Sequence, residues 1–206
     1  MKPIKVLLAD DHAIVRMGLA SLLGTQSDID VVGEAEDGED AVRKTLKLRP
    51  DVVIMDLMMP KMDGFDATAE IHRQFPDTKI MILTSYGASD GIAHALSAGA
   101  TGALMKSTEF SEFVAAIRTI AAGGRVIAPE IARQLAEDPP VPDLTSRQTE
   151  ILHCITRGLT NADIAKSLGI REDSVKEHVN AIFAKLGAAN RSEAVAIAIS
   201  RHLIKP

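Results

Sequence analysis

The sequence predicts an α/β protein, a doubly wound parallel sheet followed by a smaller all-α domain, and three observations carry that expectation. Short runs rich in Val, Ile and Leu alternate with segments of helical period as far as Gly123-Gly124. These runs lack polar alternation, the mark of strands buried on both faces between helices. Pro139, Pro140 and Pro142 then break the pattern, and only helical period follows them.

Taken in order, "IKVLLA" (4–9) is the first strand, and the helix after it has Ile14, Met17, Leu19 and Leu22 as its apolar face. "DVVG" (30–33) precedes a helix marked by Ala41, Val42 and Leu46. "VVIMD" (52–56) leads to one marked by Ala67, Ile71 and Phe75. "KIMILT" (79–84) is followed by a helix from about Ser89 to Ala98. "GALM" (102–105) is followed by a helix from Ser111 to Ala122, where Phe113, Ala116, Ile117 and Ile120 recur at helical spacing. This (βα)5 pattern defines a first domain over residues 1–123. Residues 124–142 form a linker whose short helix has Pro129 in its first turn.

Residues 143–206 parse into four helices. Thr145 and Thr160 are expected N-caps, and Gly158, Gly169 and Gly187 stand where helices end. The apolar stripes are Ile151, Leu152 and Ile155; Ile164, Ala165 and Leu168; Val175, Val179, Ile182, Phe183 and Leu186; and Val195, Ala198 and Ile199. "NADIAKSL", the turn "GI" and a helix from about Glu172 form a helix-turn-helix, whose second helix would enter a DNA major groove. Its core stripe leaves Lys176, Glu177, Asn180 and Lys185 outward.

With 46% apolar and 25% charged residues, the chain has the composition of a soluble globular protein. Its 206 residues suit one domain of about 120 residues plus a smaller one. No apolar run reaches the roughly 18 residues of a spanning helix, so a membrane partner and export are disfavoured and the cytoplasm is expected. Cys154 has no partner for a disulfide and no ligand set for a metal; beside an apolar stripe it reads as a small core residue. Residues 143–206 carry nine Lys/Arg against seven Asp/Glu, and the rest 14 against 21, a difference of a sign compatible with nucleic-acid binding by the C-terminal part.

In a doubly wound sheet, ligands bind at the carboxyl ends of the strands, where strand order reverses. Asp10 and Asp11 follow the first strand, Asp56 ends the third, Thr84 the fourth, and Lys106 follows the fifth. Three carboxylates brought together repel, and a hard cation such as Mg²⁺ and the Lys106 ammonium would relieve them. Asp56 would then be a nucleophile able to attack a phosphoryl group and form an acyl phosphate. Each residue alone also has an ordinary reading, the Asp10-Asp11 pair as a helix cap, Asp56 as a loop residue, Lys106 as a solvated charge. The set in this order is what separates the two.

The spacing Asp10-Asp11, Asp56, Thr84, Lys106 resembles the receiver domain of bacterial response regulators, a flavodoxin-like fold with strand order 2-1-3-4-5. The resemblance implies that Asp56 is the phosphoacceptor, Asp11 a direct Mg²⁺ ligand and Asp10 a ligand acting mainly through water. It further implies that the Met58 backbone carbonyl completes the coordination, that Thr84 binds a phosphoryl oxygen after activation, and that Lys106 pairs with the phosphate. Two positions depart from the pattern. Ala103 stands where an aromatic switch residue is frequent, which leaves backbone movement, a residue such as Tyr86, or nothing to couple phosphorylation to the receiver surface. Ala13 replaces a frequent proline. Bulky Met58 and Tyr86 predict slow hydrolysis of the acyl phosphate.

"LTSRQTEIL", "GLTNADIA", "SVKEHV" and "NRSEA" resemble the LuxR-type helix-turn-helix of NarL/FixJ response regulators, and the two likenesses cover almost the whole chain. By this resemblance Lys176, Glu177 and Asn180 occupy base-contacting positions, while Thr160, Asn161, Lys185, Asn190 and Arg191 contact or frame backbone phosphates. A carboxylate such as Glu177 would prefer cytosine, and Asn180 could pair with adenine. The last helix would form a homodimer seam. Implied partners are a sensor histidine kinase, double-stranded DNA, a second copy on activation, and RNA polymerase. Two rivals stand beside this reading: a regulator that binds DNA independently of phosphorylation, and an aspartate-nucleophile phosphatase, which would need a second aspartate where Met58 is.

Overall fold

The computed structural model describes residues 2–85, 89–142, 144–201 and 203. The chain divides into two compact units, Met1–Asp138 and Pro139–Pro206. No helix among the described residues is long and apolar enough to cross a membrane.

The first unit contains β1 (Ile4–Ala9), α1 (Ala13–Leu23), β2 (Ile29–Ala35), α2 (Gly38–Leu48), β3 (Val52–Met55), α3 (Gly64–Gln74), β4 (Lys79–Thr84), α4 (Ser89–Ser97), β5 (Gly102–Met105), α5 (Phe110–Ala121), β6 (Val126–Ile127) and α6 (Pro129–Glu137). Its strands are parallel in the order β2-β1-β3-β4-β5-β6. Every residue of β3 and β5 is buried. Helices must then cover both faces, because a parallel strand can be followed only by a crossover. β1 lies between β2 and β3, so the chain reverses its direction of winding beside β1.

The first five strands stand in the expected order. β6 is an addition: Val126 pairs with Gly102 and Ile127 with Ala103, and Ile131 of α6 is buried in the same core. A strand of two residues has no periodicity to read, and the open edge of β5 organises it.

Helix α1 is rotated relative to the face expected of it. Ile14 is 86% exposed, Met17 67% and Leu22 47%, whereas Leu23 is buried and Leu19 and Ala20 pack on the core. Arg16 takes the inward position at the sheet rim, bonded to Asp10 and Glu34, and its polar anchors compete with the apolar stripe for the helix orientation. In α2, Leu46 is exposed; Thr45 is buried one turn beyond Ala41 and gives its hydroxyl to the Ala41 carbonyl. The i, i+4 row that faces the sheet therefore runs Ala41–Thr45.

The second unit contains α7 (Ser146–Thr156), α8 (Asn161–Leu168), α9 (Glu172–Leu186) and α10 (Arg191–Ser200). Ile151, Leu152, Ile155, Ile164, Val175, Val179, Ile182 and Leu186 fill its core, with Cys154 buried among them. Thr145 and Thr160 cap α7 and α8 through reciprocal bonds with Gln148 and Asp163. Gly169 and Gly187 end α8 and α9 at φ 64° and 68°, where a Cβ would be strained. On α10 the inward residues are Ala194 and Ala198, while Ile199, expected on the apolar stripe, is exposed.

Candidate functional site

The strand register assembles the acidic rim. Ala9 pairs with Met55, so Asp10 and Asp56, the next residues of neighbouring strands, emerge side by side. The Asp56 N–H donates to the Ala9 carbonyl at 2.8 Å and the Lys106 N–H to the Thr84 carbonyl at 2.7 Å, extending both ladders to the rim. Gly64 is required by close approach: a Cβ there would overlap the Asp56 carbonyl oxygen. Its own N–H bonds to the Leu57 carbonyl, folding the loop after β3 back onto the site.

Lys106 Nζ lies 2.6 Å from Asp10 Oδ2 and 2.9 Å from Asp56 Oδ2. Asp10 and Asp56 are each 4% exposed, so these are buried charges that require partners. Burial pushes the Asp56 carboxyl above its usual range and the Asp10 charge adds to the rise, against the bonds from Lys106 and the Met58 N–H. Burial would lower the Lys106 pKa, yet its bonds to Asp10 and Asp56 hold it above the usual lysine value. One ammonium thus compensates two carboxylates, and Asp11, more exposed, completes an acidic triad.

Asp10, Asp11, Asp56 and His12 each offer a ligand atom within 4.8 Å of the others. Three carboxylates within that span, against one ammonium, suit a hard divalent cation such as Mg²⁺. Thr84 is buried at the end of β4. The Met58 side chain is half exposed. Ala103 is fully buried within β5, paired with Ile82 on one side and Ile127 on the other, and its methyl group has no rotamer to change. Tyr86 lies outside the described residues.

Two participants escaped the sequence reading. His12 donates its backbone N–H to Asp10 Oδ1 at 2.8 Å and places Nδ1 2.6 Å from Asp11 Oδ1. Its position directly after the aspartate pair was the available signal. Arg16, with a side chain only 15% exposed, donates from Nη1 to the Asp10 carbonyl at 2.6 Å and from Nε to Glu34 Oε2 at 3.2 Å. A lone arginine on an otherwise apolar helix face gives no sequence signal that distinguishes it from a solvated charge.

In the second unit, α8, the Gly169-Ile170 turn and α9 form the helix-turn-helix. Lys176, Glu177 and Asn180 are exposed on α9, opposite the buried Val175, Val179 and Ile182. The framing residues all make bonds within the unit. Thr160 caps α8, and Asn190 caps α10 by accepting the Glu193 N–H. Arg191 reaches the Leu159 carbonyl and Asn161 Oδ1, and Lys185 Nζ lies 2.9 Å from Gln148 Oε1. These residues therefore stabilise the start of α8, the start of α10 and the junction of α9 with α7.

Comparison with known proteins agrees with both halves. Residues 6–118 match the response regulator receiver domain, and residues 142–198 match the bacterial regulatory proteins of the luxR family. Similar curated proteins include the response regulator protein VraR of Staphylococcus saprophyticus, 40% identical over 210 residues and covering 98% of this chain and 100% of that protein. The transcriptional regulatory protein LiaR of Bacillus subtilis is 41% identical over 209 residues, with 98% and 99% covered. Among solved structures, the response regulator ChrA of a heme-sensing two-component system is 37% identical at a TM-score of 0.60, over 99% of this chain and 100% of that one. The two-component response regulator RcsB in complex with DNA is 26% identical at a TM-score of 0.67, over 97% and 99%. Sheet and helix-turn-helix thus agree with similarity along nearly the full length, and the chain belongs to the NarL/FixJ-type response regulators, in which a receiver domain precedes a LuxR-type helix-turn-helix.

Proposed function

We propose that Asp56 accepts a phosphoryl group from the phosphohistidine of a sensor kinase and that this controls homodimerisation and sequence-specific DNA binding in the cytoplasm, with RNA polymerase as a downstream partner. The observation that carries the reading is the Lys106 bridge between Asp10 and Asp56, which leaves Asp56 buried beside an ammonium at a strand end. A carboxylate oxygen of Asp56 attacks phosphorus, an O–P bond forms, the N–P bond breaks, and the electron pair leaves with the imidazole. Lys106 follows the charge onto the transferred oxygens, and Thr84 receives one of them by hydrogen bond.

Asp10, Asp11, Asp56 and the Met58 carbonyl would hold Mg²⁺, consistent with the clustering of carboxylate oxygens. When bound, Mg²⁺ supplies the positive charge that Lys106 alone cannot, neutralising the phosphoryl oxygens. Met58 shields the acyl phosphate from water, and a phosphate lifetime of a few seconds or less with Mg²⁺ present would refute that role.

On DNA, Lys176, Glu177 and Asn180 would face base edges, and Thr160, Asn161, Lys185, Asn190 and Arg191 would frame phosphates; the exposed outer face of α9 supports the first assignment. RcsB, a relative of similar architecture, has been solved on DNA, which supports DNA as a partner. The exposed Ile199 on α10 suits the expected dimer seam.

Buried Ala103 favours a second reading, in which DNA binding does not depend on phosphate. The test treats wild type and Asp56→Asn with a small-molecule acyl phosphate and Mg²⁺, then measures oligomeric state and DNA mobility shift. Wild type alone should incorporate phosphate, dimerise and bind more tightly. Equal binding and oligomeric state in every sample would favour the phosphate-independent regulator. Met58, in place of a second aspartate, keeps the phosphatase reading without support.

A further inference from the structure

The tip of α9 that the DNA-binding reading directs into the groove carries more acid than base. Residues 171–177, "REDSVKE", contain three carboxylates and two cations, whereas the remainder of 143–206 contains seven basic residues and four acidic ones. The flanks of this unit would therefore attract a duplex while the tip repels it.

The acids at the tip also engage its cations. Lys176 Nζ lies 3.5 Å from Glu172 Oε1 and 3.4 Å from Asp173 Oδ1, and Arg171 Nη2 lies 3.8 Å from Asp173 Oδ2. Asp173 thus stands between both cations. The hydrogen bond to Asp173 and the charge of Glu172 hold the Lys176 pKa above its usual value, the direction expected of an occupied ammonium. All four side chains are exposed, so nothing in the fold requires these pairs for burial.

We propose that Glu172 and Asp173 are specificity-determining residues that keep Lys176 and Arg171 from binding the phosphates of arbitrary DNA. The inference rests on the helix-turn-helix reading of α9. A phosphate must displace a carboxylate from Lys176 and then tolerate that carboxylate nearby. Only a base edge presenting an amino donor, cytosine N4 or adenine N6, gives a carboxylate at the tip a favourable partner in the groove. Sequence choice is enforced by a penalty on wrong sites, and not solely by attraction to the right one.

The experiment uses the full chain, a duplex selected by wild type from a random pool, and a scrambled duplex of equal length. Binding is measured at 50 and 200 mM salt for wild type, Glu172→Gln, Asp173→Asn, their double variant, and Glu150→Gln on α7 as a remote-charge control. Each cation released to phosphate adds about 0.9 to the salt slope, so affinity for scrambled DNA should fall about 3.5-fold further between those salts per cation. The double variant should bind scrambled DNA more tightly at 50 mM and lose discrimination for the selected duplex. Unchanged slope and discrimination, or an equal gain from Glu150→Gln, would overturn the proposal. If wild type binds neither pool nor scrambled duplex at 50 mM, the DNA-binding reading falls too, and that outcome differs visibly from variants that merely match a DNA-binding wild type.

Discussion

Replacing Lys106 with Met keeps the aliphatic stem and removes the charge, which isolates what the ammonium does at the rim. Its contacts of 2.6 and 2.9 Å to Asp10 and Asp56 each correspond to about 6 kcal/mol of direct attraction at an effective dielectric of about 20, before desolvation is subtracted. Removing one partner of a buried pair costs roughly 3–5 kcal/mol net. The Lys106 side chain is 16% exposed, so the lower end applies, and the metal-free variant should lose about 3 kcal/mol at pH 7. The pH dependence has a definite sign. Without Lys106 the pKa of Asp56 rises further, since the bond that opposed its elevation is gone. A raised carboxyl pKa imposes a cost above the folded value that is relieved as pH falls through it. The difference from wild type in urea midpoint, followed through the first unit, should therefore shrink as pH is lowered from neutral through the raised Asp56 pKa. Millimolar Mg²⁺ should shrink it as well. A loss below about 0.5 kcal/mol, or one indifferent to both pH and Mg²⁺, would refute the account of Lys106 as the counter-charge of the rim.

Three further outcomes follow from particular contacts. Gly64→Ala must displace the Asp56 carbonyl, so it should cost at least about 2 kcal/mol in urea denaturation and slow phosphate incorporation from a small-molecule donor. Arg16→Ala leaves the Asp10 carbonyl and Glu34 without their cation; calorimetry should find weaker Mg²⁺ binding, partly restored in Arg16→Lys, and a loss of about 1–3 kcal/mol in stability. Asp37, whose pKa is lowered by Lys61 and by the Asp40 N–H it caps, contributes stability that is complete above its unfolded pKa near 3.9 and disappears as pH falls through the depressed folded value; Asp37→Ala should cost about 1 kcal/mol at pH 7 and progressively less as pH falls through that value.

Much of this architecture was legible because it follows from local chemistry. Apolar runs of four to six residues ending in Asp or Thr locate strands and their rims, and Thr145, Thr160, Gly169 and Gly187 bound their helices by capping and left-handed geometry. The misread faces of α1 and α2 have a common cause. Ile14, Met17 and Leu22 satisfy helical period as well as the inward row does, and a period cannot say which of two stripes faces the sheet. Leu46 lost its place to Thr45, whose hydroxyl is satisfied within the helix and so can be buried.

The sequence by itself determined the order of the first five strands and the two-part organisation, and it marked Asp10, Asp11, Asp56, Thr84 and Lys106 by their positions at the ends of apolar runs. Only the tertiary structure decided how those groups share charge. The register that brings Asp10 beside Asp56 and the ammonium serving both arise between residues far apart in the chain, where distance and burial set the energies.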